Sequence, residues 1–248
     1  MSKKGTLYGV GTGPGDPELL TLKAVRVLRE ADVLAYFCKE GRRGNARAIV
    51  DTHIGEDMIE LALPYPVTTE IDAKHDDYRA AIDAFYERSA RAVMEHLDQG
   101  RSVAVLSEGD PLLYGSYMHL HVRLAHRYPA LVIPGVTAMS GSWSMAGLPL
   151  VQGDEILRVL PGTLPLDRLT KEIAEADGAV IMKVGRNLSK IEEALAACGK
   201  LDTAVYVERA TMENAVVEKL DSRNGRPAPY FSTILVPGWP ARPLEMPS

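Results

Sequence analysis

Apolar runs alternate with stretches of helical periodicity along most of the chain, the pattern of parallel sheets joined by crossover helices. Strands are predicted at 6–11 (TLYGVG), 32–37 (DVLAYF), 102–107 (SVAVLS), 130–135 (ALVIPG), 178–184 (GAVIMKV), 203–208 (TAVYVE) and 232–238 (STILVPG). Several are nearly continuous apolar stretches, as in a sheet covered on both faces. Between them, 21–31 (TLKAVRVLREA) places Leu22, Val25 and Leu28 on one helical face and turns Arg26 and Arg29 away. The stretch 76–99 carries Tyr78, Ile82, Phe85, Val93 and Leu97 at mainly helical spacing and stops at Gly100, and 187–199 ends on Gly199 in the same way. A glycine-bearing turn near residue 115, followed by the helical stretch 114–128 (YGSYMHLHVRLAHRY), predicts a division into α/β lobes at 1–115 and 116–242. Residues 243–248 then form a tail with the character of a poorly ordered end.

Composition narrows the class. With 248 residues, 46% apolar and 25% charged, the chain resembles an average globular protein, which excludes a disordered or fibrous one. There is no apolar run of bilayer length, and MSKKGTLYGV lacks a signal-peptide core, so a cytoplasmic protein with no membrane partner is expected. A net charge of −5 argues against a nucleic-acid partner. Cys38 and Cys198 stand far apart without CxxC spacing and read as buried or incidental thiols. His119 and His121, two apart on a helix, do not share a face, so no metal site is expected.

The candidate chemistry lies in four loops that follow strands. GVGTGPGDP at 9–17 looks like a phosphate loop but fails both nucleotide patterns. A GxGxxG begun at Gly9 meets Pro14 and one begun at Gly11 meets Asp16, while the lysine of a P-loop is replaced by Gly15-Asp16-Pro17. Asp16 and Pro17 suit an N-cap and a first helical residue, and EGDPLLYG at 108–115 repeats the device with Asp110 and Pro111. Two readings stay open, helix caps alone or loops beyond strand ends that line a ligand crevice. PGVTAMSG at 134–141 and MKVGR at 182–186 are further small-residue turns that favour the crevice.

In order and spacing, VGTGPGDPELLTLKA, SEGDPLLYGS, PGVTAMSG and MKVGR resemble the tetrapyrrole methylases that use S-adenosylmethionine. The resemblance covers nearly the whole chain. Within the family, AYFCKEGRRGNAR, LPYPVTTE at 63–70, Glu108 and MSGSWS at 139–144 point to the subgroup that methylates a bridge carbon of an early corrin precursor, with Ser142 where a cysteine is expected.

The resemblance implies a two-lobed fold, each lobe a mostly parallel or mixed sheet flanked by helices, with the cofactor in the cleft between lobes. It implies S-adenosylmethionine as methyl donor, S-adenosylhomocysteine as product, an acidic tetrapyrrole substrate and a homodimer. The cofactor contacts it implies are Pro14, Glu108, Gly109, Asp110, Leu113, Thr137, Ala138, Met182, Ala210 and Thr233, with Asp110 near the methionine end. No residue is assigned as catalytic, though Glu108 and Tyr114 are placed where a carboxylate or phenol would assist proton loss. Lys39, Arg42, Arg43 and Arg47 are either partners for substrate carboxylates or a solvated basic loop. A nicotinamide-dependent reductase would need the glycine fingerprint that is absent. Relatives acting on another ring carbon, a cobalt-containing ring, uroporphyrinogen III or a protein stay open.

Overall fold

The computed structural model describes residues 4–55, 57–66, 76–223 and 225–239. The Tyr78 side chain, residues 67–70 of LPYPVTTE and the tail 243–248 lie outside the described residues. The chain folds as two units, Met1–Thr137 and Ala138–Ser248.

The first unit contains β1 (Leu7–Gly11), α1 (Leu22–Glu30), β2 (Val33–Lys39), α2 (Asn45–Ile49), β3 (Ile59–Tyr65), α3 (Asp76–Asp98), β4 (Val103–Ser107), α4 (Tyr117–Leu124) and β5 (Ala130–Ile133). Its sheet has the order β3-β2-β4-β1-β5, and every pair is parallel. Apolar runs such as VAVLS, buried at every position, fill a sheet with helices on both faces. On one face Val10, Leu34, Ala104 and Leu106 meet Val27 and Leu28 of α1 and Ala46 and Ile49 of α2. On the other, Val33, Ala35, Val103 and Val105 meet Phe85, Val93 and Leu97 of α3 and Tyr117, Leu120 and Leu124 of α4.

The second unit contains α5 (Ala138–Met145), β6 (Leu157–Pro161), α6 (Leu166–Ala174), β7 (Gly178–Met182), α7 (Leu188–Ala197), β8 (Val205–Glu208), β9 (Val216–Lys219) and β10 (Ser232–Val236). Its sheet, β6-β7-β10-β8-β9, is mixed, with only β6 and β7 parallel. Helices α6 and α7 cover one face through Leu169, Ile173, Ile191 and Leu195. Met139 of α5, Ala146 and Leu148 pack on the other, against Val180, Val205, Val207 and Leu235.

Two expectations change. The division comes after Thr137 rather than after residue 115, because β5 hydrogen-bonds to β1 along Leu7–Val10 and α4 packs under the same sheet. Leu22 is 91% exposed, and Ala24, Val27 and Leu28 form the buried stripe of α1. Thr21 caps that helix by accepting from the Ala24 N–H, so Leu22 sits in the first turn beyond the reach of the core. Among the described residues no helix is long and apolar enough to cross a membrane.

Candidate functional site

In the first unit β1 and β4 are neighbours, yet α1 and α4, which follow them, lie on opposite faces. Such a switch point opens a crevice beyond the carboxyl ends of the two strands. The loops that leave there are the two Gly-Asp-Pro segments, and the loop after β5 runs beside them.

Their glycines bring backbone against backbone. Gly13 and Gly109 form an isolated bridge, with the Gly109 N–H donating to the Gly13 carbonyl at 2.8 Å. A Cβ on Gly135 would stand 2.1 Å from the Gly109 carbonyl oxygen, and one on Gly11 would stand 2.5 Å from the Gly135 nitrogen. Gly13 and Gly109 also hold φ of 76° and 64°, open to glycine at little cost. The three loops are thus clamped together, and the glycines serve that approach rather than cradling a phosphate.

Asp16 and Asp110 start turns, not long helices. The Asp16 carboxylate accepts from the Glu18 N–H at 2.8 Å and Pro17 opens one 3₁₀ turn, which ends as Leu20 turns extended and buries its side chain. One oxygen of Asp110 accepts from the Leu112 N–H at 2.9 Å and the other from the Gly135 N–H at 3.2 Å, tying the second loop to the third. Here α4 waits until Tyr117, because Gly115 must lie against the Ser107 hydroxyl, where a Cβ would come within 2.5 Å. Beyond Asp110 the loop exposes Leu112, Leu113 and Tyr114, the last at φ 54°, a strained value for a residue with a side chain.

Glu108, the first residue after β4, accepts a hydrogen bond from the Ala46 N–H of α2. Its side chain is exposed to solvent, while the protein packed about the carboxyl partly desolvates it and pushes it above the ordinary carboxylate range. The phenol of Tyr65, close enough to feel the Glu108 charge, is hydrogen-bonded to Ser116 and Tyr86, and burial raises its proton affinity further.

The basic motif divides. Arg47 is 2% exposed and pairs with Asp51 at 2.5 Å and Glu60 at 2.6 Å, so it holds α2 in place and is withdrawn from any substrate. Arg43 also bonds Asp51, at 2.8 Å, while Lys39 and Arg42 lie exposed. The spacing of Arg47 and Asp51, four apart, was the available signal for this pair. Cys38 is buried, and His119 stacks on Tyr86 with ring centroids 3.9 Å apart. The described residues contain no cluster able to hold a metal.

In the second unit, Ala138 opens α5, and Met182 and Ala210 pack against the same cluster as Met139. Thr233, buried opposite Val207, shares the sheet face of Leu235 in that cluster. Ser142 lies inside α5 and donates to the Ala138 carbonyl at 2.8 Å, which satisfies a hydroxyl where the resemblance suggests a thiol. Within each unit the nominated residues therefore converge: Pro14, Glu108, Gly109, Asp110 and Leu113 on the switch-point loops with Thr137 on the third, and Ala138, Met182, Ala210 and Thr233 about one sheet face. No residue type foretold that Lys183, Arg209 and Thr211, which flank Met182 and Ala210, take φ of 56°, 49° and 65°.

Three comparisons bear on this arrangement. The family described as Tetrapyrrole (Corrin/Porphyrin) Methylases matches residues 6–223. A Sinorhizobium protein named Precorrin-2 C(20)-methyltransferase is 64% identical over 96% of this chain and 98% of its own. A Salmonella typhimurium protein named Cobalt-precorrin-2 C(20)-methyltransferase is 30% identical over 94% and 96%. The crystal structure of the Thermus thermophilus uroporphyrin-III C-methyl transferase, complexed with S-adenosylhomocysteine, superposes with a TM-score of 0.64 at 23% identity, covering 94% of this chain and 92% of that one.

Proposed function

Since the chain belongs to the tetrapyrrole methylase family and is a methyltransferase by that membership, we propose that it transfers a methyl group from S-adenosylmethionine to C20 of precorrin-2, a step of cobalamin biosynthesis. The observation that carries this reading is the 64% identity, spread over nearly the full length of both chains, to a protein named for that reaction. The loops fit the donor on chemical grounds. They lack a phosphate-holding lysine, they are lined by backbone, and they present the carboxylates of Glu108 and Asp110 to a ligand that carries a positive sulfonium and an ammonium group.

The cofactor contacts we propose are Pro14, Glu108, Gly109, Asp110, Leu113, Thr137, Ala138, Met182, Ala210 and Thr233. When bound, S-adenosylmethionine supplies an electrophilic methyl group with a neutral thioether as leaving group, so the protein's task is chiefly orientation, which is worth roughly 7–11 kcal/mol of barrier. Asp110 serves it by locking two loops at once. Lys39 and Arg42 are the cations of the basic motif left to meet the ring's carboxylates, Arg47 being buried. We further propose a cytoplasmic homodimer.

The test is an assay of the purified chain with precorrin-2 and methyl-labelled donor. A product one methyl heavier and labelled at C20 is expected; label at another carbon sinks the reading. A second reading, the cobalt-containing ring, has the weaker support of the 30% relative, and parallel assays with and without cobalt in the ring separate the two.

A further inference from the structure

Methylation at an unsaturated bridge carbon requires that carbon to lose its hydrogen as a proton, and a protein group placed beside it speeds that loss. This requirement rests on the reaction proposed above. The switch-point loops offer few acceptors. Asp16 caps the first loop, and Asp110 spends one oxygen on Leu112 and the other on Gly135. The Tyr65 phenol is engaged by Ser116 and Tyr86. Glu108 differs from all of these. It is the first residue beyond the central strand β4, it reaches solvent, and its carboxylate accepts from the Ala46 N–H and from its own backbone N–H. The aim of the Ala46 N–H is itself fixed, since the buried Arg47 pins α2 through Asp51 and Glu60.

We propose that Glu108 is the catalytic proton acceptor of the methylation, with Arg47 as its positioning residue. The ring carbon's π electron pair forms the new bond to the methyl carbon, and the methyl–sulfur bond breaks with its pair kept by sulfur. The carbon–hydrogen pair then returns to the conjugated ring as the proton passes to the Glu108 carboxylate. Charge balances, because the positive charge brought by the sulfonium leaves as that proton. Partial desolvation of the carboxyl fits the role, since a carboxyl raised above its usual range is a stronger base near neutral pH.

The experiment compares wild type with E108Q, both full length and checked by circular dichroism, using precorrin-2 with and without deuterium at C20. In E108Q, kcat should fall by roughly 10²- to 10⁴-fold. A primary isotope effect should appear as proton loss becomes limiting, and because Glu108 is also a proposed cofactor contact, S-adenosylhomocysteine affinity measured by calorimetry should fall by far less than kcat. Formate should restore part of the rate to E108A. An E108Q enzyme with full kcat, or one that loses S-adenosylhomocysteine binding with no change in isotope effect, overturns the assignment while leaving the substrate intact. A wild type that leaves precorrin-2 unmethylated overturns the substrate and the assignment together.

Discussion

In the first unit the loops after β1, β4 and β5 meet at Gly11, Gly109 and Gly135, where a side chain on Gly11 or Gly135 would strike a neighbouring backbone. In the second unit the loops after β7 and β8 turn through Lys183, Arg209 and Thr211, which keep their side chains and take a left-handed backbone to do so. At this meeting point the first unit gains closeness by giving up side chains, although Tyr114 farther along the β4 loop keeps its own at φ 54°. The other keeps side chains and accepts strain of about 1–3 kcal/mol at each such residue. Strain of this kind persists only where the surrounding structure holds the residue in place, so the contrast sets the close backbone approach of Gly11, Gly109 and Gly135 against three second-unit turns in which a side chain is kept at a cost.

The strongest way to break this contrast is to put a methyl group on glycines of each kind. G135A drives a Cβ into the Gly109 carbonyl, and a loss of more than about 4 kcal/mol, or failure to fold, is expected. G185A, at φ 33° with open space around it, should cost only about 1 kcal/mol in denaturant unfolding. Equal losses would show that contact does not distinguish the two sets.

Next come the buried arginines, one in each unit and each 2% exposed. Arg223 stacks on the Tyr206 ring at 3.5 Å, pairs with Glu218 at 2.9 Å and donates to the carbonyls of Arg226 and Pro227. R223M should cost about 3 kcal/mol, because the largely buried Glu218 is left to the exposed Arg226. The partners of Arg47 remain about two-fifths exposed, so R47M should cost about half as much. Thermal unfolding of both variants checks the order.

The smallest expected change in stability is that of K183G. Relief of about 1 kcal/mol of strain is offset by glycine's backbone entropy of about 0.5–1 kcal/mol, leaving the melting temperature nearly unmoved. If the Lys183 side chain is why the strain is kept, kcat/KM should still fall about tenfold. An unchanged kcat/KM would show that the strain is not kept for that side chain.

Much of the first unit was legible, because a sheet covered on both faces writes itself as apolar runs such as SVAVLS. The strands that escaped prediction are edge or half-exposed ones. β3 (IELALPY) and β9 (VVEK) mix acids with apolar residues, and β6 (LRVLP) is buried fully only at Leu160. α2 is five residues long, too short for periodicity to register, and α5 (AMSGSWSM) is built of small residues that read as a turn. The motifs brought out the four loops, but not what the glycines are for, since that depends on Gly109 and Gly135 meeting in space. In the same way GRRGNAR disclosed a cluster of positive charge without disclosing that Arg47 is paired internally.

The insertion of β4 between β2 and β1 has a consequence for biosynthesis. β1 can pair only with β4 and β5, and the Thr12 hydroxyl at its end bonds the Ser107 carbonyl 95 residues downstream. On a ribosome adding about 5–20 residues per second, β1 waits roughly 5–20 s for its first partner. A strand so rich in glycine, LYGVG, is poorly suited to aggregate in that interval. Gly11, which later seats the loops, is one of the two glycines that lower the strand's tendency to pair early.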